Sequence, residues 1–211
     1  MQATFRDRNA AGEQLAEKLR DETQPVVLGI ARGGVLVAAP VARALRAPLD
    51  VCVIRKIGHP AQPELAMGAV SAAGDVVFTD HARDVSQPQL DLRVVDAQNH
   101  ARALESRLRG DRAALDVRGR TVILIDDGIA TSATMLCAIE YARGRGAARV
   151  VCAVPVAPGD FLERLRVKSD RLVVLVPAFE WHFAVGRYYA DFSEVTDEEV
   201  RAALAGEGGA R

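Results

Sequence analysis

The stretch VILIDDGIATSATM, Val122 to Met135, decides how the rest of the chain is read. Its first four residues, Val122 to Ile125, are aliphatic and mostly β-branched, a run short enough to be a strand buried on both faces. Asp126 and Asp127 follow at once, so both acids stand at the carboxyl end of a central strand, where an open α/β sheet places its ligands. Gly128, Ile129, Ala130, Thr131, Ser132, Ala133 and Thr134 then form a small, hydroxylated turn into an apolar helix that begins near Ala133. A helix N-terminus offers unpaired N–H groups and partial positive charge, so such a turn can hold a phosphate, with the threonine hydroxyls as further donors. The two acids suit another part of the same ligand: they can accept hydrogen bonds from adjacent hydroxyls or hold a hydrated Mg²⁺. An ordinary strand end with a helix cap would use the same residue types, so the whole string, more than any one residue, points to a ligand.

A phosphate cradle beside a diol clamp describes a ribose 5-phosphate site. Strand, Asp-Asp, two or three small or aliphatic residues, then Thr-small-small-Thr resembles the phosphoribosyl pyrophosphate motif of the type I phosphoribosyltransferases. That motif usually has glycine where this chain has Ser132 and a branched aliphatic where it has Gly128. The resemblance covers roughly Val26 to Val200, and RKIGHPAQPELAMGAV and AVGRYYADF are similar to segments of a bacterial group of phosphoribosyltransferases with unassigned acceptor. It implies an α/β fold with a central, mainly parallel sheet flanked by helices, a mobile lid loop at about 55–72 and a small C-terminal hood at about 177–195.

At 211 residues the chain has the size of a single domain, 1–211, able to bury a substantial core. Hydrophobic residues at 49% and charged residues at 26% are those of a globular protein. A formal charge of -1 gives no electrostatic support for a nucleic-acid or membrane partner. No apolar run approaches the roughly 18 to 20 residues of a membrane span, and a cytoplasmic location is expected. Cys52, Cys137 and Cys152 are widely spaced in apolar surroundings, which favours buried reduced thiols over disulfides or a metal site.

Along the chain, residues 7 to 21 read as an amphipathic helix with Asp7 or Asn9 as cap, and Val26 to Ile30 as the first buried strand. Ala31, Arg32, Gly33 and Gly34 turn into a second helix, Val35 to Arg46, another arrangement in which backbone N–H groups approach an anion and Arg32 adds a forked charge. Leu49 to Ile54 reads as one strand, ending in Arg55 and Lys56 before a loop with Gly58, His59, Pro60, Pro63 and Glu64. Two short strands joined by Ala73-Gly74 form a hairpin, HARDVSQPQL is a polar loop, and Leu92 to Arg112 is helical. Strands at Val150 to Val154 and Leu172 to Val176 flank a helix at Phe161 to Val167, completing an alternation that calls for a parallel sheet with right-handed crossovers. The tail gathers Phe179, Trp181, Phe183, Tyr188, Tyr189 and Phe192, either a satellite core or a wall for a planar ligand, and Thr196 with Glu199 reads as a capping box.

The resemblance assigns roles to these residues. Ala31 to Gly34 would be the pyrophosphate loop, with a cis peptide at Ala31-Arg32. Arg55 and Lys56 would meet the leaving pyrophosphate, and His59 and Glu64 are lid candidates. Phe183 and Val185 are similar to a segment that stacks on the acceptor base. Asp126, Asp127, Lys56 and Arg32 would carry catalysis, and both acids would hold Mg²⁺ by way of the ligand or water. The implied reaction is that of a pentosyltransferase: ribose 5-phosphate passes from phosphoribosyl pyrophosphate to a nitrogen of a small acceptor. The 6-oxopurine enzymes have an aspartate at the position matching Ala130 and a lysine at that matching Ala133; adenine, pyrimidines and other heterocycles remain open. Dimers are common in the family the chain resembles, and the Ala-rich helix from Val35 or the hood could supply a homodimer interface. The alternative is a protein that senses phosphoribosyl pyrophosphate or nucleotides without turnover, for which Arg55 and Lys56 would have no use. A kinase or dehydrogenase would need GxxxxGK[ST] or GxGxxG, and neither is present.

Overall fold

The main sheet is assembled from four strands that are buried along nearly their whole length and a fifth, at its edge, that is mostly half-buried. The computed structural model describes residues 3–179 and 183–206. Its elements are α1 (Arg8–Lys18), β1 (Val26–Ile30), α2 (Gly33–Leu45), β2 (Leu49–Cys52), β3 (Ile54–Gly58), β4 (Ala66–Ser71), β5 (Val76–Phe78), α3 (Gln87–Arg109), β6 (Thr121–Ile125), α4 (Ser132–Gly144), β7 (Arg149–Pro158), α5 (Gly159–Lys168), β8 (Arg171–Ala178) and α6 (Asp197–Gly206). Five strands form a sheet in the order β2-β1-β6-β7-β8, with every pairing parallel. The α/β class with a central parallel sheet flanked by helices is therefore as the sequence implies.

Alternate side chains supply two cores. Val27, Ile123 and Val151 face α1, α2, α6 and the end of α3, whereas Val26, Val122 and Val150 face α4 and α5. Helices α2 and α4 leave the adjacent strands β1 and β6 toward opposite faces. A crevice must therefore open at the carboxyl ends of those two strands, the switch point of the topology. On one face Gly12 lets α1 lie against Val37 and Pro40 of α2, where any Cβ would overlap both.

Three readings are corrected. Leu49 to Ile54 is not one strand: β1 ends at Ile30 opposite Cys52, so beyond that point the chain has no parallel partner and β3 pairs antiparallel with β4 instead. Arg55 and Lys56 consequently lie within a strand, in a three-stranded antiparallel sheet of order β3-β4-β5, and only the tip at 59–65 is loop. The polar loop at 81–90 is shorter than expected, because α3 starts at Gln87 with Pro88 in its first turn, where the missing N–H costs nothing. The Ala73-Gly74 hairpin, the Asp7 cap and the Thr196–Glu199 capping box are found as read. Trp181 lies outside the described residues. No described helix is long and apolar enough to cross a membrane.

A buried ion pair fastens the edge of the main sheet. Asp50 of β2 is 4% exposed and accepts hydrogen bonds from Arg109 at the end of α3 and from the backbone N–H groups of Val51 and Leu115. Arg109 also donates to Glu105 and to the carbonyl of Val51. Removing one partner strands a charge in the interior, at a cost of about 3–5 kcal/mol. Arg109→Met is expected to lose that much stability in urea denaturation and Asp50→Asn/Arg109→Met to recover part of it; a loss below about 1 kcal/mol would show that Asp50 finds other solvation.

Candidate functional site

Two turns meet at the switch point because one has almost no side chain. Gly34 packs on the end of β6, where an added Cβ would fall 2.5 Å from the carbonyl oxygen of Ile125 and 2.8 Å from Asp126 Cα. The turn before it contains a cis peptide between Ala31 and Arg32. Beside these turns lies a cleft of 370 Å³. Ala31 lines it from the first turn, Arg55 and Lys56 from β3, and Asp126, Gly128, Ile129, Ala130, Thr131 and Thr134 from the second turn and α4.

Two polar atoms at this cleft are buried with no partner among the described residues, Arg55 Nε and Thr131 Oγ1. Thr131 is the N-cap of α4 with the extended backbone usual there (φ -139, ψ 145), yet its side chain makes no hydrogen bond to the helix. Buried polar groups normally find partners, so an unpaired donor on each side of one cleft is an opening for an anion. Ser132 is the first residue of α4 and is not among the non-glycine residues with positive φ, Gln24 and Arg46. The position therefore takes serine without strain. A Cβ on Gly128 would fall 2.5 Å from Val185 Cγ1 and 3.0 Å from Val156 Cγ1, so Val185 fills the space that a branched residue at 128 would need.

The two acids are not equivalent. Asp126 faces the cleft and its Oδ1 accepts the N–H of Asp127 at 2.9 Å. Burial, reinforced by the charge of Asp127, pushes the Asp126 carboxyl well above the usual range. Asp127 is not among the residues lining the cleft. Its Oδ2 accepts Arg8 Nε at 2.8 Å, its carbonyl accepts the Tyr189 hydroxyl, and burial pushes its carboxyl up against the opposing pull of Arg8. Arg32 also turns away from the cleft: its Nε donates to Asp197 Oδ1 at 2.7 Å, while Arg107 donates to Oδ2 at 3.0 Å. Arg32 lines a side cavity of 320 Å³ together with Arg8, Gly33 and Arg55.

The remaining sequence candidates are spread more widely. Glu64 shares a neighbouring cavity of 370 Å³ with Lys56, Thr131, Ser132 and Ala133. His59 lies at the β3–β4 tip, its Nδ1 accepting the N–H of Ala61 and its Nε2 3.8 Å from Asp84. Phe183 packs on Tyr188, with ring centroids 5.7 Å apart, in a satellite cluster with Phe5, Tyr189 and Phe192. Sequence reasoning missed Arg8, Arg107, Tyr189 and Asp197, all distant in the chain from the groups they hold, and no local pattern marks them.

A family model for the phosphoribosyl transferase domain matches residues 5–190. The chain belongs to that family. It is 43% identical over 208 residues to a protein of Mycobacterium tuberculosis whose name places it provisionally among the phosphoribosyl transferases. That match takes in 95% of this chain but 46% of the relative, so the chain spans about half the length of the curated relatives it matches. The crystal structure of TT1426 from Thermus thermophilus is 43% identical, covers 97% of this chain and 99% of its own, and superposes with a TM-score of 0.83. A purine phosphoribosyltransferase from Pyrococcus horikoshii shares the fold at 18% identity and a TM-score of 0.50, covering 88% of this chain and 91% of its own.

The raised pKa of Asp126 has a consequence for stability. A carboxyl whose folded value exceeds its unfolded value opposes folding once ionised, so stability falls as pH rises from the ordinary carboxylate value toward the folded one. Asp126→Asn is therefore expected to raise the neutral-pH Tm by about 2–4 °C, the shift that about 1 kcal/mol makes in a domain of this size. The gain should vanish near pH ~3, where an unfolded carboxylate is protonated as well. An unchanged or lower Tm in thermal melts at pH 7 would mean that Asp126 is better solvated than its surroundings imply.

Proposed function

We propose that the protein is a phosphoribosyltransferase, a pentosyltransferase that moves ribose 5-phosphate from phosphoribosyl pyrophosphate to a ring nitrogen or amine of a small heterocycle and releases pyrophosphate. The observation that carries this reading is the pair of unpartnered buried groups, Arg55 Nε and Thr131 Oγ1, at one cleft between two anion-binding turns. Thr131, Thr134 and the first amides of α4 hold the 5-phosphate. Amides of Ala31 to Gly34, with the charges of Arg55 and Lys56, hold the pyrophosphate, and Asp126 accepts from the ribose hydroxyls and lies near the positive charge that develops on the sugar. Most of the acceleration then comes from positioning and fixed charge.

Mg²⁺ fits this site as a companion of the ligand. The described residues contain no group of three or more His, Cys, Asp or Glu able to cage an ion. Mg²⁺ is commonly held by one or two carboxylates, water and substrate phosphates, and Asp126 offers a carboxylate at the cleft. When bound, the ion would supply neutralisation of the departing pyrophosphate. The β3–β4 hairpin with Lys56 is the natural cover, since water reaching the activated sugar would consume it.

Ala130 is exposed at the cleft and Ala133 is buried, and neither can exchange a proton with a purine ring. A 6-oxopurine acceptor is therefore disfavoured relative to adenine, pyrimidines or other heterocycles. Calorimetry with phosphoribosyl pyrophosphate and Mg²⁺ tests the reading. The wild-type protein is expected to bind, Lys56→Ala to bind at least about tenfold more weakly, a loss of about 1.4 kcal/mol, and Thr131→Val to lose affinity as well. Folded wild-type protein that shows no heat of binding at millimolar ligand would overturn it.

A further inference from the structure

Resting on the reading of the cleft as a phosphoribosyl pyrophosphate site, we propose that the adjacent acids divide their work: Asp126 alone faces the ligand, and Asp127 is a positioning residue that forms, with Arg8, a strut fixing the spacing of the two turns.

Three sets of contacts carry this assignment. The first is the orientation of Asp127, whose carboxylate is 17% exposed and points beneath the first turn. A Cβ on Gly33 would overlap Asp127 Oδ2 and would stand 2.9 Å from Arg8 Nε, so the Arg8–Asp127 pair lies in contact with the backbone of that turn. Gly33 is thus small because the pair passes under it. The second is the fixation of Arg8 itself. Its guanidinium is 11% exposed, donates to the Ser193 carbonyl at 2.9 Å and lies 3.9 Å over the Phe192 ring. Arg8 approaches from the side cavity and does not line the cleft. Its contacts with the site run through Asp127 and the turn, and its charge also reaches Asp126 through space.

The third set closes the arrangement. The Tyr189 hydroxyl holds the carbonyl of Asp127, and the Tyr189 ring packs on Phe192 and Phe5. Asp127 is therefore gripped at its carboxylate and at its carbonyl by segments outside the sheet, from both ends of the chain. Asp126 has a different setting: one oxygen takes the neighbouring N–H and the carboxylate opens to the cleft. A strut of this kind sets the distance between the amides at Ala31–Gly34 and the amides at Thr131–Thr134, and so the separation of the two phosphate positions of one ligand.

Calorimetry with phosphoribosyl pyrophosphate and Mg²⁺ on wild type, Asp126→Asn, Asp127→Asn, Arg8→Met and Arg8→Met/Asp127→Asn decides the matter. Asp126→Asn is expected to lose at least about a hundredfold in affinity, Asp127→Asn and Arg8→Met about tenfold each, and the double variant no more than the weaker single, because residues that work as one unit are not additive. Arg8→Lys keeps a charge but cannot serve Asp127, Ser193 and Phe192 together; it should fall between wild type and Arg8→Met, and it takes the place of Arg8→Met should that variant not fold. Loss in Asp127→Asn as severe as in Asp126→Asn, with Arg8→Met near wild type, would make Asp127 a direct ligand of the sugar and overturn the strut. Additive losses in the double variant would overturn it too. Absence of binding by the wild type would instead remove the phosphoribosyltransferase reading on which the comparison stands.

Discussion

The structure depends on the contact between the Gly34 turn and the end of β6. Strands β1 and β6 are neighbours, but their outgoing helices pass to opposite faces, so the chain leaves a gap at the strand ends that no crossover fills. Whether that gap is a site or a void is set by how closely the two turns approach. With glycine at 34 the first turn rests on Ile125 and Asp126, and with glycine at 33 it clears Asp127 and Arg8. Larger residues would push the turns apart, and a single ligand could not reach both. Fold and function are linked here by two missing side chains.

Much of this was legible in the sequence because it is local. The strand-acid-acid-turn-helix string from Val122 to Met135 states its own secondary structure through hydrophobic run length, and its two acids mark the strand end, where an open α/β sheet places its ligands. The buried strands β1 and β7 and the half-buried edge strand β8 were found for the same reason, and Thr196 with Glu199 announced the last helix by capping chemistry alone. What failed was also physical. Nothing local in LDVCVIRK tells where a parallel partner runs out, so the passage from β2 into β3 could be seen only once β1 was known to stop at Ile30. Pro88 read as a loop residue because proline fits a helix without loss only in its first turn, and the first turn was not yet located.

The site itself was half legible. Gly128, Ile129, Ala130, Thr131 and Thr134 of the second turn, with Arg55 and Lys56, line one cleft, whereas Ser132 and Ala133 are buried and border the neighbouring cavity. The groups that hold the site from behind were invisible, since Arg8 and Asp127 are separated by 119 residues and Arg32 and Asp197 by 165. Such pairs carry no periodicity and no motif. They also explain why Arg32, read as a ligand residue from its place in a glycine turn, points instead to the start of α6: an acid at a helix N-terminus is a strong competitor for a neighbouring guanidinium.

Arg55 and Lys56 show why two adjacent cations need not be interchangeable. Arg55 is partly buried; burial pulls its pKa down, and the nearby charges of Arg32 and Arg107 pull it further. A lysine so placed would have its pKa pulled down from a lower starting value, whereas a guanidinium stays protonated. Lys56 is exposed and faces both the cleft and the cavity beside it, where a flexible stem and a strongly hydrated head suit a group that follows a ligand. The fold therefore tolerates a partly buried cation with an unpartnered Nε next to an exposed one. Burying a charge unpaired is disfavoured unless something binds it, and the anion proposed to span the gap between the turns would relieve both Arg55 and the unpaired Thr131 hydroxyl.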